Sequence, residues 1–393
     1  MPSEHLQRNG ETRQRERFVF QFRVPQHGTF SRTIEVIEGG IRDRLHLGAQ
    51  LYVSRHGEVF IDGAFGEARE GMPMKVQTIT LWFSAGKPLT AAVLAQLVER
   101  GLIDWNTRVA DVVPEFAQGG KERITLANVL THTAGLHALD PIDPALSMEE
   151  KLSRIFEFAL PLDWVPGERA AYSSTAGWYV LALVVERIGG SPLNACIRSE
   201  TFRQSGLANA CLCFDPMELA SVREQCGFMY DTGGAAPVEL DYWNSDAGFA
   251  TLVPGGNARG PVRELAGFYE TLLRGGGALL RPETVRTITS HQRIGLFDET
   301  FQFKTDTGFG FIMNSNRDGL QMPYGYGRVA SRDTFGHSGN QSSCAFADPM
   351  HGLAVAWATN GMPGERKHQQ RQRAINNAIY QDLGLVEQGR QSP

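Results

Sequence analysis

The change of hydrophobic periodicity along the chain is the sequence feature that most restricts its fold. Short apolar or alternating segments, which are typical of β-strands, cluster towards the two ends of the chain. They lie at residues 49–54, 59–65, 328–330, 334–346 and 353–358. Between about residues 81 and 261, apolar residues recur at helical spacing, and Gly- and Pro-rich loops separate the segments. The pattern predicts one antiparallel sheet formed by both ends of the chain, with a mostly helical region inserted.

The predicted fold class is therefore α+β, an α/β sandwich in which helices flank the antiparallel sheet. We assign a discontinuous sheet domain to residues 18–80 and 262–393 and a helical domain to residues 81–261, with the active site at their interface. Residues 1–17 are polar and predict a flexible arm, and residues 18–24 predict a first strand. Helices are predicted at residues 33–47, 124–136, 178–188 and 261–273 and after Pro363.

Composition and charge exclude several classes of partner. The net charge of -5 and the pI of ≈ 6.1 give no electrostatic reason to expect a nucleic acid or an anionic membrane. A basic segment at residues 366–373 precedes apolar residues at helical spacing, and we interpret it as the solvated face of a C-terminal helix. The longest apolar segment, residues 178–185, is shorter than the roughly 20 residues that cross a bilayer.

Cysteine and histidine usage indicates neither disulfides nor a metal. The 5 cysteines are an odd number scattered along the chain, which predicts reduced thiols and a cytoplasmic protein. The N-terminal segment lacks the apolar core of a secretory signal. His132 and His137 flank a predicted helix end with no carboxylate at ligand spacing, so a structural role is favoured over a metal site. We expect no metal or organic cofactor.

A serine and a lysine stand three residues apart where a predicted strand, residues 77–83, gives way to a helix that ends near Gly101. Positions i and i+3 share one helix face, so the Ser84 hydroxyl and the Lys87 amine can meet within hydrogen-bond distance. A serine hydroxyl is a poor nucleophile until a base removes its proton, and N–H groups at a helix N-terminus favour a developing oxyanion. Ser84 is therefore the candidate nucleophile, and Lys87 is the only lysine in the chain with a serine three residues before it.

Two further segments follow in order. Tyr172-Ser173-Ser174 lies just before an apolar helix, where a phenol can point into a cleft, and His337-Ser338-Gly339 lies on a predicted strand. The segment Gly336–Asn340 has a partial likeness to the Gly-x-Ser-x-Gly nucleophile turn of α/β-hydrolases. Because Asn340 replaces the last glycine and no helix is predicted to follow, we reject Ser338 as a nucleophile.

The ordered Ser-x-x-Lys, Tyr-x-Ser and His-Ser-Gly elements resemble those of the serine β-lactamase and penicillin-binding-protein superfamily, most closely its class C-like, family VIII carboxylesterase branch. The resemblance covers about residues 33–385. The segments Gly101-Leu102-Ile103-Asp104 and residues 130–136 also resemble structural signatures of that family. The resemblance implies a β-lactamase/transpeptidase-like fold.

The resemblance also implies a role for each element. Ser84 would be acylated, with Tyr172 and Lys87 as the base system, and the Lys87 charge is expected to lower the phenol pKa of Tyr172 from about 10. The backbone N–H groups of Ser84 and Asn340 would form the oxyanion hole. The residues that would contact the substrate are Ser174, His337, Ser338 and Gly339.

Two positions depart from the family's usual pattern. Ser174 stands where an asparagine is usual, and His337 stands where a lysine usually holds a substrate carboxylate. An imidazole with a pKa of about 6.5 is mostly neutral at pH 7. Both changes weaken an interpretation as an enzyme for β-lactams or peptides and favour an uncharged ester.

The expected function is a serine carboxylesterase that acts on a small-molecule ester through a Ser84 acyl-enzyme, or an acyltransferase. A β-lactamase or D-amino-acid peptidase and a catalytically silent homologue are the alternatives. The acyl and leaving groups and the oligomeric state stay open.

Overall fold

The computed structural model describes residues 30–385, so the arm expected at residues 1–17 and the strand expected at residues 18–24 lie outside the described residues. The helices are α1 Ser31–Arg42, α2 Lys87–Glu99, α3 Val109–Val112, α4 Leu126–Leu130, α5 Met148–Glu157, α6 Ala176–Gly189, α7 Leu193–Ile197, α8 Glu200–Gln204, α9 Pro216–Val222, α10 Asp241–Asn244, α11 Asp246–Ala250, α12 Val262–Leu273, α13 Pro282–Ile288 and α14 Glu365–Asp382. The strands are β1 Gly48–Arg55, β2 Glu58–Arg69, β3 Met72–Pro73, β4 Thr80–Phe83, β5 Tyr230–Asp231, β6 Val238–Glu239, β7 Ala258–Gly260, β8 Phe297–Asp298, β9 Phe303–Lys304, β10 Ile312–Met313, β11 Phe335–Gly339, β12 Ser343–Asp348, β13 Leu353–Thr359 and β14 Gly361–Met362.

One seven-stranded sheet joins the two ends of the chain in the order β10-β11-β12-β13-β1-β2-β3. Every neighbouring pair in it is antiparallel, and β1 pairs with β13 so that Val53 faces Val355. The predicted α+β fold with an antiparallel sheet from both ends is confirmed, as is the hairpin between β1 and β2. The domain boundaries at residues 80 and 262 stay a prediction.

The central strand β13 is buried on both faces, with large side chains on one face and alanines on the other. Val355 and Trp357 pack with Ile375 and Ile379 of α14, while Ala354, Ala356 and Ala358 belong to the core that contains α12. Small side chains on the α12 face allow that helix to approach the sheet closely, because side chains alternate between the faces of a strand. The sheet is therefore covered by helices on both sides.

The helical region is organised around α2 and α6, which are buried on nearly all sides. No helix within residues 30–385 is by itself long and apolar enough to span a membrane, and α6 passes that test only together with residues 193–204, a pair bent by 77°.

The helix predicted at residues 124–136 is much shorter than expected, since α4 ends at Leu130. His132 has φ 58, a conformation that breaks the helix. Its carbonyl oxygen accepts a hydrogen bond from the Ala171 amide, and its Nδ1 accepts one from the Ser173 amide. Contacts to a distant loop therefore replace the helical hydrogen bonds that the local pattern predicts.

The strand predictions near the C-terminus need two corrections. Residues 328–330 form no strand, because Asn314 Nδ2 binds the carbonyl oxygens of Ala330 and Ser331 instead of a neighbouring strand. The stretch 334–346 is not one strand but β11 and β12, separated by a turn in which Gln341 has φ 48.

The interpretation of residues 366–373 as a solvated helix face is also wrong in part. The helix is present as α14, but His368, Arg371 and Gln372 are buried. The Arg371 guanidinium donates hydrogen bonds to the carbonyl oxygens of Leu45, Gln341 and Gly361. Because those acceptors come from distant segments, the charge pattern alone could not indicate that an arginine is buried there.

Candidate active site

The candidate nucleophile lies at a sharp turn between β4 and α2. Phe83 has φ 48, Ser84 begins a short 3-10 turn, and α2 begins at Lys87. A Cβ at Gly86 would lie 2.0 Å from the Ala258 Cβ, so only glycine allows β7 to pack against this turn. The turn presents the Ser84 side chain to a cavity.

Lys87 lies directly behind the nucleophile and is fully buried. Its Nζ is 2.7 Å from Ser84 Oγ and also donates to the carbonyl oxygens of Ser174, at 2.8 Å, and Gly255, at 2.5 Å. Burial lowers the pKa of Lys87 to about 7, against the opposing effect of Asp140. At neutral pH a large fraction of Lys87 is therefore uncharged and able to accept the Ser84 proton.

Gly255 is a site residue that sequence reasoning did not identify, although the Pro254–Asn257 segment was the available signal. A Cβ at Gly255 would lie 2.7 Å from Trp178 Cγ and 2.8 Å from the Ser174 carbonyl oxygen. The absence of a side chain lets the Gly255 carbonyl reach Lys87 Nζ. Ser84 Oγ donates to the same carbonyl at 3.2 Å.

Tyr172 lies beside the Ser84 and Lys87 side chains, with its ring centroid 5.3 Å from Lys87 Nζ. Burial raises the pKa of Tyr172 well above its ordinary value, and a hydrogen bond with Ser84 offsets only part of that increase. The expectation that the Lys87 charge lowers this pKa is therefore wrong. Tyr172 is a neutral phenol at pH 7, and Lys87 is the stronger candidate base.

The Asp140 carboxylate positions the loop that carries Tyr172. It accepts hydrogen bonds from the hydroxyls of Ser173 and Thr175, both at 2.6 Å. It also accepts three from backbone amides, at 2.7 Å for Ser174, 3.1 Å for Thr175 and 2.8 Å for Ala176. These bonds fix the loop at the start of α6. Asp140 is not among the residues predicted from the sequence, because nothing in the local pattern connects it to a segment more than thirty residues away.

Asp298 holds the other side of the same loop. Its Oδ1 accepts from the amides of Tyr172, at 3.0 Å, and Phe301, at 3.1 Å, and its Oδ2 pairs with Arg293 at 3.1 Å. Both side chains of the Arg293–Asp298 ion pair are buried. Phe301 stacks on the Tyr172 ring at 4.8 Å, and His132 covers the ring from another side at 4.5 Å. His132 thus has the structural role expected for it, and His137 packs on Trp164.

The third predicted segment lies on β11, next to the nucleophile turn. A Cβ at Gly339 would lie 2.1 Å from the Trp82 carbonyl oxygen, so this glycine allows β11 to approach the end of β4. The Ser338 hydroxyl accepts a hydrogen bond from Gln372 Nε2 at 3.0 Å. Because β11 is followed by a turn at Asn340 and then by another strand, the strand-turn-helix setting of an α/β-hydrolase nucleophile is absent at Ser338.

His337 is buried and uncharged. Burial, followed by the nearby Lys87 charge, lowers the pKa of His337 to about 3. Its Nδ1 lies 2.8 Å from the Ser338 carbonyl oxygen, which can only accept, so we assign the proton to Nδ1. Nε2 then carries a lone pair, and it has no hydrogen-bond partner among residues 30–385. His337 is therefore a neutral side chain of the site and supplies no cation.

Six of the predicted residues line one cavity of ≈ 660 Å³, while Lys87 and Gly339 do not. Its lining includes Ser84, Tyr172, Ser174, His337, Ser338 and Asn340, all of which were singled out from the sequence. The remaining lining residues are His137, Asp140, Pro141, Thr300, Phe301, Ile312, Pro323, Tyr324, Glu365 and Gln369. No lysine or arginine of the described part of the chain lines it. A serine hydroxyl beside a buried amine in such a cavity defines a serine hydrolase site.

Comparisons with known proteins agree with this class. The Beta-lactamase family model matches residues 34–379. The chain is 28% identical over 349 residues to the esterase/beta-lactamase LipL of Mycobacterium tuberculosis. The aligned region covers 80% of this chain and 77% of LipL. A penicillin-binding protein homologue from Caulobacter crescentus superposes with a TM-score of 0.76 at 25% identity, over 93% of this chain and 100% of that chain. A family VIII carboxylesterase superposes with a TM-score of 0.74 at 24% identity, over the same shares of the two chains.

This protein therefore belongs to the β-lactamase family and is a serine hydrolase with the β-lactamase fold. The family resemblance stated from the sequence is confirmed.

Proposed function

We propose that this protein cleaves carboxylic esters through an acyl-enzyme on Ser84. The observation that carries the proposal is the lack of a positive charge in the cavity lining, which contains no lysine or arginine from residues 30–385. A penicillin or a peptide C-terminus brings a carboxylate, and a charge-assisted hydrogen bond to it contributes about 1.5–3 kcal/mol. His337 is neutral and provides no such charge. An uncharged ester loses nothing in such a cavity.

In the acylation step we propose neutral Lys87 as the base. The Ser84 Oγ proton moves to Lys87 Nζ, 2.7 Å away, while Oγ attacks the ester carbonyl carbon. The backbone N–H groups of Ser84 and Asn340 are the proposed oxyanion hole. When the carbon–oxygen bond of the ester breaks, the neutral Tyr172 phenol protonates the leaving alkoxide and recovers its proton from the Lys87 ammonium.

Deacylation follows the same proton path in reverse. Water, or a second alcohol or amine in an acyltransferase, gives its proton to Lys87 as it attacks the acyl carbonyl. The released Ser84 oxygen is then reprotonated. Lys87, which is uncharged in part at neutral pH, serves as the base in both halves of the reaction. The expectation of a cytoplasmic protein without nucleic-acid or membrane partners stays a prediction.

The proposal is tested by comparing kcat/KM for a panel of short-chain acyl esters with kcat/KM for nitrocefin and for a D-alanyl-D-alanine peptide. Ser84→Ala protein, prepared in parallel, supplies the background rate. We expect ester turnover to exceed turnover of both carboxylate-bearing substrates. If nitrocefin or the peptide is cleaved faster than every ester, the proposed esterase function is wrong. The alternative, a β-lactamase or D-amino-acid peptidase, then takes its place.

A further inference from the structure

Phe301, Tyr324 and Glu365 are neighbouring side chains of the cavity lining, and we call them the outer wall. The Tyr324 hydroxyl donates to Glu365 Oε1 at 2.6 Å. The rings of Phe301 and Tyr324 lie 6.1 Å apart and are tilted by 48°. The two rings and the carboxylate therefore surround one region of the cavity on adjacent sides.

The outer wall is continuous with the reacting groups. Phe301 stacks on Tyr172 at 4.8 Å with an interplanar angle of 27°, and Tyr172 stands beside Ser84. The backbone holds this arrangement, because Asp298 accepts from the Phe301 amide and Gln369 Oε1 accepts from the Tyr324 amide at 2.8 Å. Ser84 and the outer wall therefore line the same cavity, so one bound substrate can contact both.

The charged side chains of the cavity lining are carboxylates. They are Asp140 and Glu365, and the lining contains no described lysine or arginine. Arg366 and Lys367 follow Glu365 in α14 but are exposed and are not among the lining residues. Aromatic faces next to a carboxylate attract cations, and quaternary ammonium groups are recognised by such surfaces.

We propose that the ester cleaved by this protein carries an ammonium group, which binds against Phe301 and Tyr324 with Glu365 as its counter-ion. This inference rests on the proposed esterase function. It adds the chemical class of the substrate: the ester not only lacks a carboxylate but also carries a positive charge. The trimethylammonium group is the simplest probe, because a tert-butyl group has nearly the same shape and no charge.

The first experiment compares kcat/KM for choline butyrate with kcat/KM for its carbon isostere, in which tert-butyl replaces trimethylammonium. We expect the cationic ester to be preferred about tenfold, within the range of cation–π and counter-ion effects. In Glu365→Gln and in Phe301→Leu the ratio of the two kcat/KM values should fall about threefold or more. The ratio is the readout, since Phe301 also contacts Tyr172 and its loss can change both rates.

Glu283→Gln is the matched control. Glu283 lies in the first turn of α13, as Glu365 does in α14, but it is exposed and does not line the cavity. The ratio should be unchanged in this variant. A wild-type ratio near one, or a fall of the ratio in Glu283→Gln as large as in Glu365→Gln, would overturn the inference. Turnover of both esters would still support the proposed esterase function.

Binding of choline itself, compared with its carbon isostere by calorimetry, separates the two proposals. If no ester is cleaved but choline binds better than the isostere, and Glu365→Gln removes the difference, the ammonium site is supported and the esterase function fails. If choline binds no better than the isostere, the site is overturned whatever the turnover shows.

Discussion

Ser84 lines the cavity, and Lys87 and Gly255 lie behind it. We call these three residues the inner wall, and it differs from the outer wall in how its groups are fixed. Lys87 is completely buried and its amine has three hydrogen-bond partners within 2.8 Å. The outer wall is only partly buried, and Glu365 is exposed. Burial at the inner wall shifts pKa values and so determines the chemistry. The outer wall keeps an exposed carboxylate beside two aromatic side chains of the cavity lining, which makes it the part suited to selecting a substrate.

The largest effect is expected at the inner wall, from Ser84→Ala. Removal of the attacking oxygen should reduce ester turnover by about 10⁴-fold or more. A fluorophosphonate probe, followed by peptide mass spectrometry, should label Ser84 in the wild type and nothing in the variant. Ser338→Ala, which removes the other serine hydroxyl considered from the sequence, is the control and should still be labelled. An adduct on Ser338 would contradict the assignment of the nucleophile to Ser84 in the inner wall.

Lys87→Ala should reduce turnover by about 10²–10⁴-fold, because it removes the base. The pH profile adds a sharper test. Burial lowers the pKa of Lys87 to about 7, and only the uncharged amine accepts a proton, so wild-type kcat/KM should fall as the pH decreases through about 7. Lys151→Met, which removes another buried lysine that lies outside the cavity, should keep this pH dependence. A flat wild-type profile between pH 6 and 8 would remove Lys87 as the base.

Asp140→Ala tests whether the inner wall depends on the network behind it. Five hydrogen bonds to residues 173–176 are lost, which should lower the free energy of unfolding by about 3 kcal/mol. Displacement of Tyr172 should also lower kcat about tenfold or more. Thermal denaturation and steady-state kinetics measure the two effects. Asp143→Ala, in the same loop but exposed, should change neither, and unchanged kcat in Asp140→Ala would show that the network supports stability alone.

His337→Lys is expected to have the smallest effect. An amine at this position can pair with a carboxylate, so kcat/KM for nitrocefin relative to a neutral ester should rise about tenfold. His337→Gln, which adds a donor without charge, separates the effect of charge from that of hydrogen bonding. No change in the lysine variant would mean that the cavity rejects carboxylates through Asp140 and Glu365 rather than through the absence of a cation.

Much of the fold was predictable, because periodicity is a local property of the sequence. The hairpin of β1 and β2 and the helix α6 lie close to where the pattern predicts them. The failures lie where distant contacts override local preference. His132 leaves the helical conformation to bind the segment before α6, and Asn314 captures the carbonyl oxygens of Ala330 and Ser331. A pattern of side chains carries no information about such partners.

The candidate site divides in the same way. Ser84 and Lys87 were identified because their spacing places them on one helix face, and Tyr172 and His337 because they follow in an expected order. Gly255, Asp140 and Asp298 were missed. Asp298 binds the Tyr172 amide across 126 positions of the sequence, and no spacing rule covers such a distance. The residues that react were predictable, and those that position them were not.

The sequence by itself determined which residue types are available and which local elements carry them: a serine and a lysine at the start of a helix, and a histidine in place of a cation on β11. Only the tertiary structure decided their ionisation. Burial lowers the pKa of Lys87, and it raises that of Tyr172, which the sequence had led us to expect to be lowered. The physical reason is that the cost of a charge depends on every group packed around it, and those groups come from distant parts of the chain.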